Sequence, residues 1–263
     1  MTAAPKLSIR GLHKVFRDKE RTVIALDEVG FDLVENEFAT LVGTSGCGKS
    51  TLLSIVAGLE TQTSGEVLVD GRPVTGPGRD RGMVFQTYTL FPWLTVRKNV
   101  EFALRAEPLS KAERSAVARE NLVLVGLEGF ADAYPSQLSG GMRQRVAIAR
   151  ALSYKPKVLL MYEPFGALDA QTRQLMQELL TRVWEEHRLT VLFVTHDIDE
   201  AVFLSDRVLL MTARPGRIKE DVRIDLPRPR TFGLLTTPEF FEVKSRLLAS
   251  VREESLKAAG AAA

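Results

Sequence analysis

Residues 43–51 read Gly-Thr-Ser-Gly-Cys-Gly-Lys-Ser-Thr, residue types that suit one chemistry, the cradling of phosphate oxygens. The spacing Gly43-x-x-x-x-Gly48-Lys49-Ser50 matches a loop whose successive backbone N–H groups wrap an anion. Gly43, Gly46 and Gly48 let the chain turn tightly and come close to its ligand. Thr44, Ser45, Cys47 and Thr51 complete the cradle. Lys49 is placed to reach the β- and γ-phosphates, and the Ser50 hydroxyl to bind Mg²⁺. Chance alone would produce the bare pattern in about one chain in a hundred of this length, so the flanks must decide. Before it runs the apolar stretch 38–42, a strand; after it Leu52, Leu53, Ile55 and Val56 have helical spacing. Strand, glycine turn and helix start together add unpaired N–H groups and the positive end of a helix dipole. The segment handles a nucleoside triphosphate.

Five further groups stand along the chain in an order that suits phosphate chemistry. Gln86 follows the apolar run 83–85 and can bind a metal or an attacking water. Ser139, Gly140 and Gly141 open a helix, a second terminus able to bind an anion. Glu163 ends the buried run 158–161, where a carboxylate can orient or deprotonate water. Asp169 follows it, and His196 ends the run 191–194, placed to hydrogen-bond a γ-phosphate as charge builds. Singly each has a bland reading, a turn or a structural histidine. In this order they reinforce one another.

The elements that must position these groups alternate in type. Strand signals lie at 7–10, 29–33, 38–42, 66–69, 83–85, 158–161 and 191–194. The last two are continuous apolar runs, the pattern of parallel strands covered on both faces. Between them, 172–188 reads as a helix. Ser110 with Glu113 forms a capping box before a helix through Val117, Leu122 and Leu124, and another helix runs 142–152. This alternation predicts an α/β sheet with ligand loops at the strand C-termini and a helical insertion at 95–152. After the stiff break 226–230, Thr237-Pro238-Glu239 caps a last helix with Phe241, Leu248 and Val251 on one face.

Composition narrows the function classes. The 263 residues carry 45% hydrophobic and 26% charged side chains, enough for a full core. Lys plus Arg is 35 against Asp plus Glu 33, a net charge of +2 that gives no support to nucleic-acid binding. The opening residues 1–7 lack the apolar core of a secretory signal. The longest apolar runs are of strand length, short of the ~20 residues of a spanning helix. The single cysteine, Cys47, suits a reducing interior. Beside the phosphate loop it reads either as an oxidisable thiol or as a small filler.

Taken together, these motifs resemble the ATP-binding subunit of ABC transporters over about residues 7–220. The resemblance implies a P-loop NTPase of ABC type, with a mixed central sheet, an antiparallel β subdomain and an inserted helical subdomain. It divides the chain into an ATPase domain, 7–240, and a tail, 221–263, with a helix. Within the former, 7–94 and 153–220 form the core with the β subdomain, and 95–152 the helical subdomain. Leu138–Gln144 then corresponds to the signature motif, Gln86 to the Q-loop, Asp169 to the D-loop and His196 to the switch histidine. Phe16 matches the aromatic that stacks on adenine; its other reading is a core Phe on a short strand. Ser139, Gly140, Gly141, Gln144 and Asp169 join the nucleotide set, with ATP and Mg²⁺ as cofactors and Ser50 and Gln86 on the metal. A head-to-tail homodimer is implied, each ATP held between one chain's loop and the other's signature helix.

More narrowly, Phe91-Pro92-Trp93-Leu94-Thr95-Val96, Phe165-Gly166-Ala167-Leu168-Asp169 and Ala213-Arg214-Pro215-Gly216 are similar to the importers of nitrate, sulfonates and taurine. Those subunits lie on the cytoplasmic face of the membrane against two permease subunits, and a separate extracytoplasmic binding protein delivers the solute. Residues 88–93 would receive a permease helix, or else form core in the helical subdomain. One position departs from the pattern: Tyr162 stands where the family's strand ends in the Asp that helps hold Mg²⁺. A phenol, with an ordinary pKa near ~10, supplies no compensating charge. Loose metal binding and slow hydrolysis are the expectation.

Overall fold

The computed structural model describes residues 4–17 and 21–260. In chain order its strands are β1 (Leu7–Arg17), β2 (Thr22–Leu33), β3 (Phe38–Val42), β4 (Ser64–Val69), β5 (Arg72–Pro73), β6 (Arg81–Val84), β7 (Val158–Tyr162), β8 (Thr190–Val194), β9 (Arg207–Met211) and β10 (Ile218–Arg223). The α-helices are α1 (Lys49–Val56), α2 (Val96–Ala103), α3 (Lys111–Leu124), α4 (Gly140–Leu152), α5 (Ala170–His187), α6 (Ile198–Leu204) and α7 (Pro238–Gly260). Two units divide them, Met1–Gly78 with Arg188–Ala263, and Arg79–His187.

In the first unit β3 is central, with all five residues buried, as its unbroken apolar run requires. It pairs in parallel with β8 on one side and β9 on the other, and β10 adds antiparallel to β9. Phe38 and Phe193 pack at 5.8 Å between ring centroids across the β3–β8 pair. A second sheet, entirely antiparallel, has the order β2-β1-β4-β5. Its strands β1 and β2 run well beyond the segments expected at 7–10 and 29–33. Their outer halves alternate weakly in polarity and are held by pairing from Lys14↔Leu26 to Arg17↔Thr22.

Helix α7 departs from expectation. The face that packs is Phe240, Leu247 and Glu254, each no more than 2% exposed, whereas Phe241 and Leu248 are 50% and 44% exposed. The buried row repeats every seven residues, and its third member is a carboxylate. Glu254 is tolerated there because Lys219 lies 2.9 Å and Lys257 2.8 Å from its Oε1. Hydrophobic periodicity is blind to a buried, paired charge.

The second unit holds the parallel pair β6–β7, with Arg81↔Val158 through Val84↔Met161 in register. Helices α2, α3 and α4 pack on one another. Their starts are set by side-chain caps. Thr95 accepts from the Lys98 N–H at 3.3 Å, and Ser110 and Glu113 form the expected capping box. Ser139 caps α4 by accepting from the Met142 N–H at 3.3 Å.

Candidate nucleotide site

Within the first unit, the loop between β3 and α1 closes on its own lysine. The Lys49 ammonium donates to the carbonyl oxygens of Gly43 and Thr44, each at 2.8 Å, and lies 3.7 Å from Cys47 Sγ. Lys49 is 6% exposed, so its charge sits at the root of the cradle rather than in open solvent. Gly48, the N-cap of α1, has φ 104°, and a Cβ there would stand 2.8 Å from the Ala25 carbonyl oxygen. Only glycine suits that position. Cys47 is 1% exposed, which favours the filler reading over the oxidisable one. Ser45, Gly46 and Ser50 are exposed, and Thr51 is half-buried.

Phe16, near the end of β1, is 41% exposed, with the Lys14 ammonium 4.7 Å from its ring centroid. The core reading of Phe16 is therefore dropped; its ring is available for stacking. His196 is exposed two residues beyond β8, and Asp197 caps α6 by accepting from the Glu200 N–H at 3.1 Å.

Within the second unit, Gln86 and Glu163 border one small space. A Cβ built on Gly166 would stand 3.1 Å from Gln86 Nε2 and 3.7 Å from Glu163 Oε2. Glu163 has φ 41°, a left-handed backbone that costs a non-glycine residue and turns the chain sharply out of β7. The Gly166 N–H closes that turn on the Glu163 carbonyl at 3.1 Å. Asp169 caps α5, accepting from the Thr172 N–H at 2.9 Å, and this bond holds its carboxyl below the usual range.

At the signature helix, Ser139 is exposed at the N-terminus of α4. A Cβ on Gly141 would come 2.4 Å from Thr172 Cγ2, so any larger residue there would have to displace the Thr172 methyl. Gln144 is 0% exposed, with neither amide atom hydrogen-bonded, so it faces inward beyond Ser139; Gly141 is buried as well, and Ser139 and Gly140 form the accessible part of the helix start.

The loop after Gln86 is held by residues on α2 and α4 that spacing did not single out. Asn99, 0% exposed, accepts from the Phe91 N–H at 2.8 Å and donates to the carbonyls of Phe91, Leu94 and Thr95 at 3.2, 3.0 and 3.0 Å. Arg150 donates to the Thr89 carbonyl and hydroxyl oxygens, each at 2.7 Å. These clamps present Phe91 beside Trp93 and Phe102, at 5.6 and 4.5 Å between centroids. Trp93 is 70% exposed, which ends the core reading of that residue. An Asn on a helix whose neighbours pack is the signal that could have pointed to the clamp.

Mg²⁺ finds few protein donors. Ser50 offers a hydroxyl and Gln86 an amide oxygen, and half-buried Tyr162 ends β7. Among the described residues no three His, Cys, Asp or Glu side chains cluster to hold a metal. Each donor, Ser50 in the first unit and Gln86 in the second, is a neutral oxygen and suits a cation carried in by phosphates.

With this geometry in hand, the family model described as ABC transporter matches residues 26–166. The chain belongs to the ABC transporter family. It is 50% identical over 252 residues to the nitrate import ATP-binding protein NrtD of Synechocystis, covering 94% of this chain and 95% of that protein. The aliphatic sulfonates import ATP-binding protein SsuB of Bacillus cereus is 46% identical over 242 residues, covering 92% and 94%. Among solved structures, a dimeric ATP-binding cassette in a post-hydrolysis state with ADP and Pi superposes with TM-score 0.73. That cassette is 35% identical, over 84% of this chain and 100% of its own. The fold is the P-loop NTPase fold of ABC cassettes, as the motifs imply. This ABC cassette binds ATP.

Proposed function

We propose that the chain is the ATP-hydrolysing subunit that energises an importer of small oxyanion-type solutes, of the nitrate and sulfonate kind. One observation carries the nucleotide half: a lysine ammonium held at the root of a glycine cradle by two carbonyls. The names of relatives at 46–50% identity support the import half. Water attacks the γ-phosphorus in line, loses its proton to Glu163, and displaces ADP. Lys49 and His196 stabilise the charge that builds on the phosphoryl oxygens, and Gln86 orients the water. Mg²⁺ comes with the triphosphate, with Ser50 and Gln86 as its neutral donors. Phe16 stacks on adenine. A second copy contributes Ser139, Gly140 and Gly141 from the N-terminus of its α4, and Asp169 lies at the same junction.

Such a subunit works on the cytoplasmic face of the membrane. The aromatic surface of Phe91, Trp93 and Phe102 meets permease subunits, and the extracytoplasmic solute-binding protein acts on it only through them. No helix among the described residues is long and apolar enough to cross a membrane. Phosphate release by the purified chain with Mg²⁺ and ATP tests the reading. Glu163→Gln should stop release while leaving nucleotide bound, and release that continues unchanged would remove Glu163 from its role.

Tyr162 favours a second reading, an ATP-binding subunit of reduced activity that docks on the permease or pairs with an active partner. The same assay separates the two. Turnover at or below the Glu163→Gln background would favour the second.

A further inference from the structure

Helix α7 reaches the phosphate loop through a short relay inside the first unit. Glu254 Oε2 accepts from the Ala213 N–H at 2.8 Å. The neighbouring Arg214 donates from both Nε and Nη2 to one oxygen, the Gly46 carbonyl, each at 3.2 Å. Gly216 lies so close to the same loop that a Cβ on it would stand 2.1 Å from the Cys47 carbonyl oxygen. The loop bearing Arg214 is itself fixed to β2, with the Gly216 N–H on the Ala25 carbonyl and the Asp27 N–H on the Gly216 carbonyl, both at 3.0 Å. Thr44, Ser45 and Gly46 line an open cleft of about 790 Å³ together with Arg214, Glu254 and Lys257.

The physical consequence concerns the Gly46 peptide. A phosphate cradle works when N–H groups face the anion and carbonyls face away. Gly46 is exposed and has φ 77°, and a glycine peptide has little side-chain hindrance to rotating its carbonyl inward, where it would repel phosphate oxygens. A guanidinium on the outer side holds that carbonyl out with charge-assisted hydrogen bonds. Glu254, in turn, fixes the backbone from which the guanidinium reaches.

We propose that Arg214 is a positioning residue for nucleotide binding, holding the phosphate loop receptive through the Gly46 carbonyl, and that α7 sets Arg214 through the Glu254 carboxylate. The inference rests on the nucleotide reading of the loop. On the full chain, Arg214→Ala should weaken ATP and ADP about tenfold, the size of one charge-assisted hydrogen bond, and leave AMP unchanged. Arg214→Lys should weaken them as much, because a single ammonium on a flexible stem cannot reproduce the fork. Hydrogen exchange at residues 44–48 should rise in both, with the melting midpoint without nucleotide unmoved. Glu254→Gln should give a smaller loss that disappears when Arg214 is already alanine.

Full affinity in Arg214→Lys would mean that charge alone matters, and would overturn the positioning role. Arg214→Ala binding ATP like the wild type would overturn the inference while leaving the nucleotide reading in place. A wild-type chain that binds no nucleotide would overturn both. Additive losses for the two substitutions would remove α7 from the relay. Should Glu254→Gln fail to fold, the Arg214 pair still decides the first half, and Ala213→Pro, which deletes the N–H that Glu254 accepts from, decides the second by the same cycle.

Discussion

The Lys49 ammonium sits 2.8 Å from the Gly43 carbonyl oxygen, so the residue that would grip the triphosphate also ties the ends of its own loop together. Its charge is satisfied without ligand, and an arriving phosphate adds acceptors to a group already in place. Lys49→Met removes both the grip and the tie. Nucleotide affinity should fall about 10- to 100-fold, the range for a hydrogen bond to a charged group, as read by equilibrium binding of a fluorescent ATP analogue.

Tyr162 ends β7 immediately before Glu163, at the position where the family resemblance implies a carboxylate. Restoring it with Tyr162→Asp should raise phosphate release about a hundredfold, equivalent to ~3 kcal/mol of transition-state stabilisation. The Mg²⁺ concentration for half-maximal rate should fall in the same titration. Equal rates in the two proteins would show that position 162 does not limit hydrolysis.

Asn99 satisfies four backbone groups of the Phe91–Thr95 loop from a fully buried position. Asn99→Ala leaves those groups without their partner and opens a cavity. The expected loss is about 2–3 kcal/mol, seen as a lower denaturant midpoint with little change in slope.

Trp93 stands 70% exposed with Phe91 against it. On the proposed docking role, Trp93→Glu should abolish uptake in a reconstituted transporter while nucleotide affinity of the isolated chain stays the same. Unchanged uptake would move the permease contact elsewhere.

Glu254 gives a pH signature. Burial pushes its carboxyl up, but hydrogen bonds from Lys257, the Ala213 N–H and Lys219 outweigh it and bring the value to about 2. An unfolded Glu titrates near ~4.3, so the native contribution is complete above about pH 5 and is lost as pH falls toward 2. Glu253, which pairs with both lysines, shifts in the same direction. Acid titration of the melting midpoint should therefore fall less steeply in Glu254→Gln than in the wild type between those limits.

How much of this could be read along the chain follows from where the forces act. The phosphate loop, the capping box at Ser110 and Glu113 and a helix opening at Ser139 were all legible, because each depends on backbone groups a few residues apart. The buried strands β3, β7 and β8 were legible for a related reason: continuous apolar runs have no face to leave in water. The inward turn of Gln144, the row Phe240, Leu247 and Glu254, the Asn99 clamp and the grip of Arg214 on Gly46 were not. Arg214 and Gly46 are 168 residues apart, and Lys219 and Glu253 are 34 apart. Which surfaces meet across such separations is set by packing and by the pairing of charges once buried, and no local period encodes that.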